Sequence, residues 1–164
     1  MTDLEVIQFI SLKMFYAVTC GAIVGYERRL NHAPAGFKTQ ILVCVGAMLF
    51  SVSPTIAGAM MVNETPRVIG QIVTGVGFLG AGAIMHNKSN SVSGLTTAAW
   101  IWFTAAIGIM IGLGHGPVGI FVTATLTAVI VLVRKIEMKY FGPRNLKIET
   151  EQQEEKETPL RKVG

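Results

Sequence analysis

Arg67, Gln71 and Thr74 stand four and then three residues apart, so a helix carries all three on one face, which Ala81 extends. A guanidinium, an amide and a hydroxyl aligned in an apolar run offer one kind of chemistry, a polar lining. A basic lining suits an anion better than a cation. Lys13, Cys20 and Glu27 repeat the pattern at steps of seven, with Arg28 following at once. Lys13 lies deep in an apolar run, where a charge must snorkel, pair or line a wet cavity, because leaving it bare costs about 2.5–3.5 kcal/mol. Two readings of Lys13 and Arg67 stand side by side: they snorkel to the outer face, or they border a polar cavity. Glu27 is expected to meet Arg28 or Lys38 at the inner end of its helix, and Arg67 to join Gln71 in a separate outer contact.

The elements that would position these groups are membrane helices. The run from Arg67 to Met85 holds Gly70, Gly75, Gly77, Gly80 and Gly82. In water each would weaken a helix by about 1 kcal/mol relative to alanine. In a bilayer no water competes for the backbone, and glycines let helices approach closely, so this run is expected to pack against a neighbour. Gly21 and Gly25 form a small-xxx-small notch on the first span. Gly108, Gly112 and Gly116 form a second ridge, whose commonest meaning is contact within one chain, with homodimerisation as a weaker possibility.

Composition agrees. The 164 residues are 51% hydrophobic and 15% charged, against about 25% charged in a soluble domain. Five spans of an all-α membrane protein are expected at Leu4–Tyr26, Thr39–Met61, Arg67–His86, Leu95–Gly114 and Val118–Val133, each near the ~20 residues a bilayer requires. Eight of the 14 basic residues and six of the 10 acidic ones follow residue 133. That divides the chain into a membrane domain, 1–136, and a charged cytoplasmic tail, 137–164, expected to be disordered or a solvated helix. Arg28, Arg29, Lys38, Lys88, Arg134, Lys135 and Lys139 fall on one side of the spans. The positive-inside rule then puts the C-terminus in the cytoplasm and the N-terminus outside, with only Arg67 against the count. Acidic Asp3 and Glu5 give no sign of a cleavable signal peptide. Cys20 and Cys44 fall inside spans and read as small apolar fillers.

Several patterns carry no chemistry. Gly75-Val-Gly-Phe-Leu-Gly80 matches the dinucleotide fingerprint by letter, but it lies mid-span, with no acid until Glu137. His32, His86 and His115 lack zinc spacing, and neither metal nor cofactor is expected. Asn63-Glu-Thr65 is a glycosylation sequon of consequence only in a eukaryotic secretory pathway. No nucleophile has a base beside it, so no enzyme activity is expected. The basic residues lack the clustering of a nucleic-acid surface. Thr96, Thr97, Trp100 and Thr104 open the fourth span, where threonines usually bond back to the preceding turn. The link His86–Gly94 reads as a solvated turn rather than a vestibule.

Gly21-Ala-Ile-Val-Gly-Tyr-Glu-Arg28, Ala35-Gly-Phe-Lys-Thr-Gln-Ile-Leu-Val43 and Gly46-Ala-Met-Leu-Phe50 resemble the opening signature of the MgtC/SapB family. The run Arg67–Gly82 and Gly94-Leu-Thr-Thr-Ala-Ala-Trp100 resemble its two most distinctive blocks, and the likeness covers about Leu12 to Arg134. It implies a bacterial inner-membrane module of about five helices, associated with growth under magnesium limitation and, in pathogens, with survival inside host cells. The positions matching the family pattern are Glu27, Arg28, Gly36, Thr39, Arg67, Gln71, Gly77, Gly80, Gly82, Gly94, Thr97 and Trp100. Two departures stand out: some virulence-associated members have a soluble C-terminal portion where this chain has a short tail, and some have Asn in place of Thr96.

Two functions follow. The chain could regulate another membrane protein by packing against it, or carry a small solute or ion along a path lined by Lys13, Glu27, Arg67 and Gln71. Magnesium sites use oxygen ligands, commonly with one or two carboxylates. Buried carboxylates are nearly absent here, so the regulator is the preferred reading.

Overall fold

A computed structural model describes residues 2–57, 64–86 and 92–141. Five helices account for nearly all of them: α1 (Asp3–Leu30), α2 (Phe37–Ile56), α3 (Glu64–Ala83), α4 (Leu95–Gly112) and α5 (Gly116–Phe141). Four of these, α1, α2, α4 and α5, are long and apolar enough to cross a membrane. The 20 residues of α3 are diluted by Glu64, Arg67, Gln71 and glycines, and do not reach that apolar content.

Each boundary has a local cause. Thr2 caps α1 through a capping box. Its backbone N–H donates to Glu5 Oε2 at 2.7 Å, and its hydroxyl accepts from the Glu5 N–H at 3.4 Å. Asp3 and Glu5 in the first turn and Arg28 and Arg29 in the last complement the helix dipole. At 28 residues α1 is about 42 Å long, so it outruns a hydrocarbon core of about 30 Å. A two-residue antiparallel ladder, Met85–His86 (β1) against Val92–Ser93 (β2), joins α3 to α4 where a solvated turn was expected. Gly94 then enters α4 at φ +89°, and a Cβ there would run into the Ala83 carbonyl, so only glycine fits.

The span limits differ from expectation at the ends of four helices, the first of which runs past Tyr26 to Leu30. The second helix ends at Ile56, short of Met61, and the third ends at Ala83, where β1 takes over. The fifth does not stop at Val133 but continues to Phe141, because Arg134, Lys135, Glu137 and Lys139 are good helix formers even outside an apolar run. The supposed boundary at 136 therefore falls inside a helix. The rest of the charged tail, 142–164, lies outside the described residues, as do Asn63, Lys88 and Ser91.

The chain divides into Met1–Thr127 and the segment from Ala128 onward. In the first unit α2 packs against both α1 and α4, and α3 lies chiefly on α4. One apolar cluster joins Ala17, Cys20, Cys44, Met48, Val52, Ile107 and Ile111. A second joins Ala35, Ala47, Ile72, Val76, Ile101, Ala105 and Ile109. The outside is just as apolar: Leu12, Phe15, Leu42, Phe50, Phe78 and Phe121 are each more than half exposed. On a soluble protein such a surface would drive aggregation; on a membrane protein it is the surface that meets lipid or another membrane protein.

Two glycine pairs set the helix spacing. A Cβ on Gly21 would lie 2.7 Å from Ile41 Cα, and one on Gly25 would lie 2.7 Å from Phe37 Cα, so the backbones of α1 and α2 touch there. Gly108 meets the Cys44 carbonyl and Gly112 meets Ser51 and Met48 in the same way, bringing α4 onto α2. This ridge is thus a contact within one chain. It also fixes a parallel register, since a step of one turn along α4 matches a step of one turn along α2.

Candidate functional site

Glu27 and Arg28 lie at the last turns of α1 and are 5% and 7% exposed. Neighbours on a helix point about 100° apart, yet these two side chains bend toward each other. Arg28 Nε donates to Glu27 Oε2 at 2.5 Å and Nη2 to Oε1 at 2.8 Å, a two-pronged pair. Asn31 Nδ2 donates to the Glu27 backbone carbonyl at 2.9 Å and also to Glu27 Oε1. From α4, the Trp100 ring covers the Arg28 guanidinium, 5.2 Å from the ring centroid, and supplies a cation–π contact in place of water. Thr97, one turn earlier on α4, is also buried. The expected meeting of Glu27 with Arg28 is formed, whereas Lys38 points to the outside.

Lys13 goes elsewhere. Its Nζ donates to the Gly112 carbonyl at 2.5 Å and sits 4.3 Å from the Phe9 ring centroid. It therefore satisfies one of the carbonyls that end α4. Fourteen residues of helix, about 21 Å, separate it from Glu27.

Arg67 and Gln71 are both exposed. Arg67 turns back to Glu64, 3.5 Å away, rather than to Gln71, because a carboxylate one turn behind competes better for the guanidinium than an amide does. The outer Arg67–Gln71 contact is not formed among the described residues. Both side chains, with Thr39, instead line a groove of about 670 Å³ between α2 and α3, whose other walls are apolar residues such as Leu42, Phe50 and Leu79. The structure thus places the four supposed path residues in three separate surroundings: Glu27 in a buried pair, Lys13 on the end of α4, and Arg67 with Gln71 on an open groove.

The glycines of α3 also part company. Gly80 approaches Ala98, with a Cβ distance of 3.6 Å, and is buried. Gly75, Gly77 and Gly82, and Gly70 with them, have open space where a side chain would be. As packing positions they have no neighbour among the described residues, because α3 meets α4 through Ile72, Val76 and Gly80, a different stripe. Gln40 is the polar residue that sequence reasoning missed: it is fully buried, and neither amide atom has a partner among the described residues. Its signal was there, for Gln40, Cys44, Ala47, Met48 and Ser51 form one helical stripe, and all five are buried. No group of three His, Cys, Asp or Glu that could hold a metal ion occurs among the described residues.

The fold and these buried polar contacts define an all-α integral membrane protein with glycine-set helix packing. The MgtC family model matches residues 14–139, so the chain belongs to the MgtC family. It is 42% identical over 120 residues to YhiD of Escherichia coli K12, whose name makes it a candidate magnesium transporter, covering 70% of this chain and 55% of that protein. It is 37% identical over 133 residues to MgtC of Salmonella typhimurium LT2, covering 81% of this chain and 54% of that protein. Against SrpB of Synechococcus elongatus the identity is 38% over 125 residues, covering 70% and 69%. The chain spans about half the length of YhiD and MgtC. No solved structure matches it.

Proposed function

We propose that this chain is a non-enzymatic regulator of another membrane protein in the bacterial inner membrane, and that α3 is the helix its partner meets. The carrying observation is the open face of α3. Gly75 and Gly82, seven residues apart, share one face of α3 and give it the small-residue surface that close helix packing uses, and no described residue packs against Gly75, Gly77 or Gly82. Phe78 beside them is 77% exposed, a large anchor of the kind that dominates interfaces. The setting of magnesium limitation or stress comes from the family resemblance and from the magnesium in the name of YhiD. Against a path through the chain, Lys13, Glu27 and the Arg67–Gln71 pair occupy three separate surroundings.

A photo-crosslinking side chain at Phe78 is expected to trap a discrete membrane protein in cells, and the same group at Phe121 is not. Gly77→Leu should abolish the Phe78 product. Purified wild type in liposomes should pass no magnesium. Magnesium flux through wild type alone would overturn this reading in favour of transport.

The regulator is proposed to lie with its N-terminus outside and its C-terminus in the cytoplasm. Arg28, Arg29 and Lys38 flank the α1–α2 link, and Arg134, Lys135 and Lys139 follow the apolar part of α5. Single cysteines placed at His32, Ser91 or Lys147 should be shielded from a membrane-impermeant thiol reagent in intact cells, while one at Asn63 should react. Labelling at Ser91 without labelling at Asn63 would reverse the orientation.

A further inference from the structure

The end of α1 carries a second polar feature, separate from the Glu27–Arg28 pair and from α3. Tyr26, Arg29, Leu30, His32 and Phe37 line an open pocket of about 480 Å³ between the last turn of α1 and the first of α2. Tyr26 and Leu30 are each 60% exposed and Phe37 is 38% exposed. Arg29 and His32 make no ion pair or side-chain hydrogen bond among the described residues. The acid that could have quenched Arg29, Glu27 two residues earlier, is consumed inside the helix bundle by Arg28 and Asn31. Lys38, exposed and next to Phe37, adds a further positive charge. The backbone holds the pocket in place. His32 stands at φ +51°, an uncommon conformation for a residue with a side chain. It is fixed there because the His32 N–H donates to the Arg29 carbonyl at 3.1 Å and the Ala33 N–H to the Arg28 carbonyl at 3.1 Å.

We infer that this pocket binds the phosphodiester headgroup of an anionic membrane phospholipid. Arginine presents a planar fork that matches phosphate oxygens, and the imidazole of His32 can donate to a further oxygen. Tyr26 and Phe37 supply the amphipathic and apolar surfaces found at headgroup level, with Leu30 beside them for the first methylenes of an acyl chain. Because α1 is longer than the hydrocarbon core, its last turn lies where headgroups are. Charge selects the lipid: the pocket has net positive charge and no free carboxylate, so an anionic headgroup is favoured over a zwitterionic one.

The test is lipid retention by the full chain. Protein released from nanodiscs of equal parts phosphatidylglycerol and phosphatidylcholine is expected to keep phosphatidylglycerol in excess in native mass spectra. Arg29→Gln should lower that excess about fivefold. Lys139→Gln, which removes the same charge from α5, should leave it unchanged. Short-chain phosphatidylglycerol should displace the retained lipid from wild type, and inorganic phosphate at the same concentration should not. Equal retention of the two lipids, or equal loss in both variants, would overturn the inference. Displacement by inorganic phosphate would overturn it too, by showing a site for free anions. The wild-type competition decides the matter even if Arg29→Gln fails to fold.

Discussion

Gly21→Leu is expected to leave no folded monomer in mild detergent, while Gly77→Leu gives the size-exclusion profile and thermal unfolding of wild type. The two glycines look alike in sequence, each in an apolar helix with another small residue nearby. Their surroundings differ. A Cβ on Gly21 would sit 2.7 Å from Ile41 Cα and 3.0 Å from the Gln40 carbonyl oxygen. Both are backbone atoms of a buried helix, which no rotamer change can move. Overpacking in a core commonly costs about 1–3 kcal/mol when side chains can give way. Here α1 and α2 must separate along their length, so the loss exceeds that range and approaches the whole stability of a domain, about 5–15 kcal/mol. Gly112→Leu should behave like Gly21→Leu, since its side chain would meet Ser51 and the Met48 carbonyl. Wild-type unfolding of Gly21→Leu, or collapse of Gly77→Leu, would refute this account of which glycines hold the bundle together.

Glu27→Ala is expected to cost about 3–5 kcal/mol, read from unfolding in mixed micelles. Removing one partner leaves a buried guanidinium with nothing to balance it, which is far worse than removing both. The Trp100 ring would remain over Arg28, but a cation–π contact supplies only about 0.5–2 kcal/mol. Asn31 would keep its bond to the residue-27 carbonyl and lose its carboxylate acceptor. The double variant Glu27→Ala, Arg28→Met should recover much of the loss, because it removes the charge and keeps the volume under Trp100. A single variant as stable as wild type would mean that the pair is not the buried unit described above.

The sequence made much of this legible, and the reason is periodicity. Apolar runs of about twenty residues, divided by basic links, announce membrane helices without reference to anything else. The Gly21–Gly25 and Gly108–Gly112 notches could be read from their spacing of four, because a helix places such residues on one face. Adjacent Glu27 and Arg28 could be seen as a pair, since two opposite charges at an apolar border have few alternatives. What spacing does not hold is the identity of the neighbour. Gly77 and Gly80 stand three residues apart in one glycine-rich run, yet one faces open space and the other Ala98. Lys13 and Glu27 share a register, but Lys13 finds a carbonyl on α4, a partner 99 positions away. Thr39 is named by the family resemblance, and Gln40 beside it is not. The buried group is one residue on, a turn of 100° that only the position of α1 and α4 decides.

The contacts at the two ends of α4 have a consequence for how the molecule comes apart. Trp100 holds α4 to α1 near one end through Arg28, and the Gly112 carbonyl holds it near the other through Lys13. Between them the Gly108 and Gly112 backbone rests on α2, which in turn rests on Gly21 and Gly25 of α1. Three helices are thereby closed into a loop of mutual contacts, from which only the first turns of α1, before Lys13, project. Such a frame opens all together or not at all, as a single cooperative unit of hydrogen exchange. The helix α3, seated on it along one stripe, is left as the element that can open at lower cost.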